Sequence, residues 1–178
     1  MIVRKNARQI VVRTMSSRAT KGWVSVGTLK FRCAIGQFGK NVRKQEGDGT
    51  TPIGIWHPTR LYYRADRITR PISALPTRPI GRLDGWCDDP DHRDYNRLIR
   101  HPISASAEHL WREDHCYDLV ITLNHNTAPI IKRAGSAIFI HVERKGFQPT
   151  QGCIALDLNS LRILAQLIDQ TTSIQIPP

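Results

Sequence analysis

The sequence predicts a single mainly β domain with a few helices and long covering loops. Three observations lead to this prediction. The chain of 178 residues has the length of one domain. Short apolar runs rich in β-branched residues recur along it, and Gly-containing breaks separate them. Only two segments carry the apolar spacing of a helix, and the region from about residue 39 to residue 97 is rich in turn-forming residues.

Five segments outside the loop-rich region have the composition of strands. The first three follow one another closely and predict an antiparallel meander. In the fifth, Phe139 and His141 lie on one face, because side chains alternate along a strand with a period of two. A sixth segment closes the chain and predicts an edge strand stopped by proline. In chain order the six are residues 9–14, 22–27, 29–36, 117–124, 137–142 and 173–178.

Two segments have the pattern of helices. The weaker one, residues 104–114, offers Ser104 or Ser106 as a cap before a short amphipathic turn or two. The stronger one, residues 157–170, has Asp157 or Asn159 as its cap. Apolar side chains recur along it at i, i+3, i+4 and i+7 and predict one buried face: Leu161, Leu164, Ala165 and Ile168.

The chain is strongly basic, with a formal net charge of +11 and an isoelectric point near 10.1. Such a charge favours anionic surroundings or partners. However, Lys and Arg are scattered along the chain, and it contains no helix-turn-helix, zinc-finger or aromatic RNA-binding motif. The sequence therefore predicts no nucleic-acid partner and favours a solvated basic surface.

The sequence also predicts no membrane span and no export. No run approaches the roughly 18 unbroken apolar residues of a spanning helix. Residues 1–23 are basic but lack an apolar stretch of signal-peptide length, because Arg13 directly follows "IVV". The sequence as given predicts a cytoplasmic protein, and a leader outside it would instead make the protein periplasmic.

The cysteines and one acidic cluster do not predict a metal site or another cofactor. The four cysteines stand far apart without a C-x-x-C pair, which argues against structural zinc and a disulfide scaffold and agrees with a reducing compartment: Cys33, Cys87, Cys116 and Cys153. The cluster "DDPDHRD" at residues 88–94 contains carboxylates and His92, but its spacing matches neither an EF-hand nor H-E-x-x-H. We therefore predict a hydrogen-bonded surface turn there.

Cys153 and His141 are the candidates for chemistry. Cys153 follows Gly152, whose freedom in φ allows close approach of the backbone at the thiol. A thiol is only slightly ionised at neutral pH, so a nucleophilic cysteine requires a nearby base. His141 ends an apolar strand shortly before Cys153 and is the candidate base. The alternative is packing, with Cys153 as a small buried hydrophobe and His141 as the end of a core strand.

Three motifs occur in the order found in one enzyme family. The segments "GDGTTPIGIW", "GSAIFIHV" and "TQGCIALDLNSL" resemble the L,D-transpeptidase catalytic-domain family, cysteine enzymes that act on peptidoglycan stem peptides. The similarity extends from about residue 36 to residue 167. The segments "GWCDDP" and "SAEHLWRED" resemble the compact single-domain branch of that family. The resemblance implies a β-sandwich of two mixed sheets with flanking helices.

The resemblance also implies roles for individual residues. Cys153 matches the nucleophile, His141 the general base, and the backbone N–H groups of Gly152 and Cys153 the oxyanion site. The implied reaction cleaves an L,D peptide bond and passes the acyl group to an amine, without a metal or cofactor. Transfer to water would instead make the enzyme an L,D-carboxypeptidase or endopeptidase of peptidoglycan recycling. We expect a backbone carbonyl to orient His141.

Departures from the family pattern bear on the choice of substrate and acceptor. Gln151 stands where many members have histidine, Val142 where many have Gly, Ser or Thr, and Ala155 where many have Arg. The loop of residues 46–54, with Asp48 and Thr51, is expected to shape the substrate cleft.

Basic residues near the base and the nucleophile are candidates for binding a stem-peptide carboxylate. These candidates are Arg43, Lys44, Arg144 and Lys145, and Gln151 is a further substrate-binding candidate. The rival hypothesis from another class is a non-catalytic basic binding module in which Cys153 is merely packed.

Overall fold

The computed structural model of the chain describes residues 7–178, which are mainly β. The strands up to the middle of the chain are β1 (Gln9–Thr14), β2 (Lys21–Val26), β3 (Leu29–Ala34), β4 (Lys40–Asn41), β5 (Thr51–Pro52), β6 (Gly54–Trp56), β7 (Pro58–Tyr63) and β8 (Thr77–Pro79). The remaining elements are β9 (Asp84–Cys87), β10 (Leu98–Arg100), β11 (Ala107–His109), β12 (Leu119–Leu123), β13 (Phe139–Val142), β14 (Ile154–Leu156), α1 (Leu158–Leu167) and β15 (Ser173–Ile176). The prediction of a mainly β fold with few helices is confirmed.

Ten strands form one curled sheet in the order β6-β15-β1-β2-β3-β14-β13-β12-β7-β8. The two five-stranded halves meet where β3 and β14 pair through Ala34 and Ala155. Each half contains both parallel and antiparallel pairs. The predicted two mixed sheets thus correspond to the two mixed halves of one sheet. The short sheets β10-β9-β11 and β4-β5 lie apart from it.

The main core lies on one face of the ten-stranded sheet and is covered by α1. Strand residues from both halves, such as Ile10 and Leu61, belong to one cluster with the helix. Leu161, Leu164 and Ala165 are the buried helix residues, as the apolar spacing predicts. Asp157 caps the helix, because its side chain accepts a hydrogen bond from Ser160 N at 3.0 Å.

Three predictions about elements are wrong, the last of them only in where the element ends. Residues 104–114 do not form a helix, because residues 107–109 pair with β9 as strand β11, and this long-range pairing overrides the local amphipathic pattern. The closing strand β15 is not at an edge, because it pairs with β1 on one side and with β6 on the other. Helix α1 also ends before residue 170, since Ile168 adopts an extended conformation at its C-cap.

A second apolar cluster lies on the opposite face of the sheet and forms the floor of the candidate site. It contains Phe139, Cys153, Val120 and Tyr117, with Trp86 packed against it. Trp86 meets the Phe139 ring edge-on, with the ring centroids 5.1 Å apart. Within residues 7–178, no helix has the length and apolar character needed to cross a membrane.

Candidate active site

The pairing of β13 and β14 brings the predicted nucleophile and base to one face of the sheet. The strands are parallel, with Ile140 opposite Ile154. Neighbouring positions in this register therefore place Cys153 beside Phe139, on the face that also carries His141. Both Cys153 and His141 line a cavity of about 430 Å³. The sequence expectation that the two side chains meet at one site agrees with this placement.

The Cys153 thiol is buried and is held by the backbone of the strand beside it. Its Sγ donates to the carbonyl oxygen of Ala137 at 3.1 Å and accepts from Phe139 N at 3.4 Å. Burial raises the pKa of Cys153 to about 12, and the negative charge of Glu108 acts in the same direction. The resting group is therefore a neutral thiol rather than a stored thiolate.

His141 is buried as a neutral imidazole with a defined tautomer. Its Nδ1 lies 2.8 Å from the carbonyl oxygen of Val142, which can only accept, so Nδ1 carries the proton and Nε2 is left as the basic nitrogen. Burial lowers the pKa of His141 to about 4. The edge of Tyr117 packs against the ring, with centroids 5.4 Å apart. The expected backbone carbonyl partner is thus present.

Gly152 shapes the turn that presents Cys153. Its φ is +136°, and a Cβ there would lie 2.8 Å from the carbonyl oxygen of Thr50. Its N–H donates to Thr150 Oγ1 at 3.1 Å, and Thr150 Oγ1 in turn donates to the Cys153 carbonyl at 2.7 Å. In this state the Gly152 N–H is therefore engaged within the turn, and its predicted oxyanion role requires that bond to be released.

Thr51, on the short strand β5, holds the same turn through a hydrogen bond. It is fully buried, and its hydroxyl donates to the Gly152 carbonyl at 2.8 Å while accepting from Gly36 N at 2.9 Å. A group with no exposed surface does not contact a ligand directly. Thr51 therefore acts as a positioning residue for the Gly152–Cys153 turn, not as the substrate contact that the sequence suggested.

Asp48 organises the loop in front of the turn. Its carboxylate accepts hydrogen bonds from Lys44 Nζ, from Gln45 N at 2.9 Å, and from both the N–H and the hydroxyl of Thr50 at 2.9 and 2.8 Å. Burial alone would raise the pKa of Asp48, but the hydrogen bonds, that of Lys44 foremost, lower it. With these partners Asp48 fixes the loop, while Lys44 itself lines the cavity.

The structure separates the four basic candidates into two pairs. Lys44 and Arg144 line the cavity, whereas Arg43 and Lys145 are exposed and are not among its lining residues. Arg144 is about half exposed and lies 3.9 Å from an Asp114 oxygen, which is a long separation for an ion pair. Gln151 also lines the cavity, and its side-chain oxygen accepts from Gln37 Nε2 at 3.1 Å.

One wall of the cavity is polar, and its residues are not among the sequence-predicted site residues. Tyr117 Oη donates to Glu108 Oε1 at 2.7 Å, and Arg112 Nη1 lies 3.3 Å from the same oxygen. Burial raises the pKa of Glu108. Asp88 also lines the cavity, and its Oδ1 is buried without a hydrogen-bond partner among the described residues. The only sequence indication was the likeness of "SAEHLWRED" and "GWCDDP" to one branch of the family.

The acidic cluster at residues 88–94 is a turn whose first residue faces the cavity. Among residues 7–178, no group of three or more His, Cys, Asp or Glu side chains is arranged to hold a metal ion. Asp91 accepts from Arg133 at 2.7 Å on the exposed side. The surface-turn prediction therefore describes most of the cluster but misses Asp88.

Comparison with known proteins gives one match. The YkuD family model, described as the L,D-transpeptidase catalytic domain, matches residues 1–176. The searches of curated proteins and of solved structures returned no match.

Proposed function

Because the chain belongs to the L,D-transpeptidase catalytic-domain family, we propose that it transfers acyl groups of peptidoglycan stem peptides through a thioester on Cys153. The observation that carries this proposal is the shared cavity of Cys153 and His141, in which Val142 O holds the Nδ1 proton and leaves Nε2 free to accept one. A merely packed cysteine needs neither an open cavity nor an oriented imidazole.

The first half-reaction begins with the thiol in its resting contact. The S–H turns from Ala137 O toward His141 Nε2, which takes the proton as Sγ attacks the carbonyl carbon of the L,D peptide bond. A C–S bond forms and the carbonyl becomes an oxyanion. When the C–N bond breaks, the imidazolium returns the proton to the leaving nitrogen. The D-amino acid departs and the acyl group remains as a thioester.

The pKa values favour attack that is concerted with proton transfer. The pKa of the thiol is raised to about 12 and that of the imidazole is lowered to about 4, so a separated thiolate–imidazolium pair is disfavoured before substrate binds. Charge then appears only as the new C–S bond forms. Backbone N–H donors at the turn stabilise the oxyanion, that of Gly152 after its bond to Thr150 is released, a contribution usually worth about 10²–10³ in rate.

The acceptor in the second half-reaction is an amine. Its nitrogen attacks the thioester, loses a proton to His141, and releases Cys153 as the thiol. Asp88 supports this choice, because it lines the cavity and its Oδ1 has no hydrogen-bond partner among the described residues, so that it can accept one from an amine. If water is the acceptor instead, the enzyme is an L,D-carboxypeptidase or endopeptidase. If the protein is a non-catalytic binding module, it forms no product.

One incubation tests the proposal. A purified muropeptide tetrapeptide is mixed with the enzyme, with and without a second stem peptide as amine, and the products are identified by mass spectrometry. We expect a cross-linked product with wild type and none with Cys153→Ala. Cys33→Ala is the matched control, because Cys33 is a buried cysteine that does not line the cavity. Trimmed tripeptide without cross-link would identify the hydrolase, and unchanged substrate would contradict both activities.

A further inference from the structure

The outer face of strands β1, β2 and β3 carries a tryptophan surrounded by cations. Trp23 on β2 is paired with Arg13 on β1 and with Arg32 on β3, so the three side chains form one cross-strand row. Lys21 lies two residues before Trp23 on the same face, and Lys30 lies two residues before Arg32. We call these five residues the outer strand face.

The outer strand face is exposed, and its charges are not compensated. The opposite side of the same strands is buried in the main core, so the row must point outward. Trp23 is 49% exposed, so about half of its indole surface is open to a partner. None of the four cations forms an ion pair with any part of the chain that the structure describes. Unpaired like charges around an exposed indole favour an anionic partner with a flat apolar face.

The strand register connects this face with the catalytic cavity. Lys21 pairs with Ala34, Ala34 with Ala155, and Ala155 with His141. Partners in a register share a face of the sheet, so the outer strand face and His141 lie on the same side of the ten-stranded sheet.

One loop forms the boundary between the two. Lys21 Nζ donates to the Gly146 carbonyl at 3.0 Å, and the Arg32 guanidinium lies 4.8 Å from the centroid of Phe147. Arg144, two residues before Gly146, and Gln148, directly after Phe147, line the cavity. The outer strand face therefore begins where the cavity wall ends.

We propose that the outer strand face binds the glycan–peptide polymer whose stem peptide enters the cavity, an inference that rests on the proposed function. The indole of Trp23 provides an apolar surface for a sugar ring. Arg13, Lys21, Lys30 and Arg32 are positioned for the carboxylates of neighbouring stem peptides. The outer strand face is continuous with the cavity that takes the stem peptide, and this favours the polymer that carries stem peptides over a nucleic acid.

Co-sedimentation with insoluble peptidoglycan tests the inference. Wild type, Trp23→Ala and the double variant R13E/R32E are incubated with sacculi at low salt and pelleted. The control R93E/K132E makes the same change in net charge at two exposed side chains outside the outer strand face. Circular dichroism and melting temperature confirm folding, and Lys30→Glu provides a milder second variant.

We expect Trp23→Ala and R13E/R32E to weaken the apparent affinity for sacculi at least tenfold, and Lys30→Glu to weaken it several-fold, while the control pellets like wild type. Cleavage of a short soluble tetrapeptide should stay within twofold of wild type for all of them. If the outer-face variants pellet like wild type, the inference is overturned. It is also overturned if the control loses as much affinity for sacculi as R13E/R32E does, or if stoichiometric duplex DNA displaces the wild-type protein from sacculi. Pelleting needs no turnover, so a failure of the proposed chemistry shows separately, as wild type that binds sacculi but forms no product.

Discussion

The Nδ1 atom of His141 lies 2.8 Å from the carbonyl oxygen of Val142, the next residue in the chain. This contact fixes the tautomer without a second side chain, since a carbonyl oxygen can only accept. The orientation of the base therefore depends on the backbone at the end of β13. A substitution at Val142 that keeps the strand should leave the orientation of the base intact.

Removal of the imidazole should abolish activity without unfolding the protein. We expect His141→Ala to lower the rate of tetrapeptide cleavage by about 10²–10⁴, the usual contribution of a general base. The matched control is His115→Asn, because His115 is exposed at a φ of +62°, a conformation that Asn tolerates. Steady-state kinetics and thermal melting check both variants. Wild-type turnover by His141→Ala would exclude this role.

The activity of the free enzyme should depend little on pH across the neutral range. The pKa of His141 is lowered to about 4, so the base is neutral above that pH and activity falls only as the pH drops through it. The pKa of Cys153 is raised to about 12, so no alkaline limb from this thiol is expected below that value. A profile of kcat/KM between pH 5 and 9 is the measurement. A limb near pH 6.5 that disappears only when His141 is replaced would contradict the burial argument.

The same burial affects stability. In the unfolded chain the imidazole has a pKa near 6.5, whereas in the folded protein the pKa of His141 is lowered to about 4. Between these pH values the unfolded state binds a proton that the folded state does not bind, so the free energy of unfolding decreases as the pH falls from 6.5 to about 4. The loss is on the order of 3 kcal/mol. Urea unfolding at several pH values should show a shallower acid dependence in His141→Gln than in wild type. Identical slopes would indicate a solvated His141.

Several features could be predicted from the sequence because their causes are local. The alternation in residues 137–142 places Phe139 and His141 on one face, and the spacing of Leu161 and Leu164 marks the buried side of α1. The Gly-Cys pair marks the turn at residue 153. These patterns depend on periods of 2 and 3.6 residues, and they do not require knowledge of distant partners.

Features that depend on distant pairing could not be predicted. Thr51 and the Gly152 carbonyl that it holds are 101 positions apart in the chain. Glu108 reaches the cavity because strand β11 pairs with β9, which places Glu108 opposite Trp86. The local sequence pattern of residues 104–114 instead predicts a helix. Nothing in the segment around Glu108 indicates that pairing.

The hydroxyl of Thr51 should matter for both stability and catalysis. Thr51→Val leaves the Gly152 carbonyl and the Gly36 N–H without this partner, at a cost of about 1–3 kcal/mol. Because the turn positions Cys153, kcat should fall as well. Thr51→Ser keeps the hydroxyl and should restore most of the activity, which separates hydrogen bonding from packing. If Thr51→Val turns over like wild type, the turn does not need this brace.

Arg144 and Lys145 provide a matched test of carboxylate binding. Arg144 lines the cavity and Lys145 does not, although both are exposed neighbours in the chain. We expect Arg144→Ala to raise the KM for a tetrapeptide roughly tenfold with little change in kcat, because it removes a charge-assisted contact common to ground and transition states. Lys145→Ala should change KM less than about twofold. Equal effects of the two substitutions would assign the change to general surface charge.

Intact-protein mass spectrometry after rapid mixing with tetrapeptide measures directly whether Cys153 carries the acyl group. We predict an adduct with the mass of the tripeptide acyl group on wild type, located at Cys153 by proteolysis, and none on Cys153→Ala. His141→Ala should form it far more slowly. Cys116 also lines the cavity and serves as the internal comparison. An adduct on Cys116, or product release without any adduct on Cys153, would contradict the proposed role of Cys153 as the nucleophile.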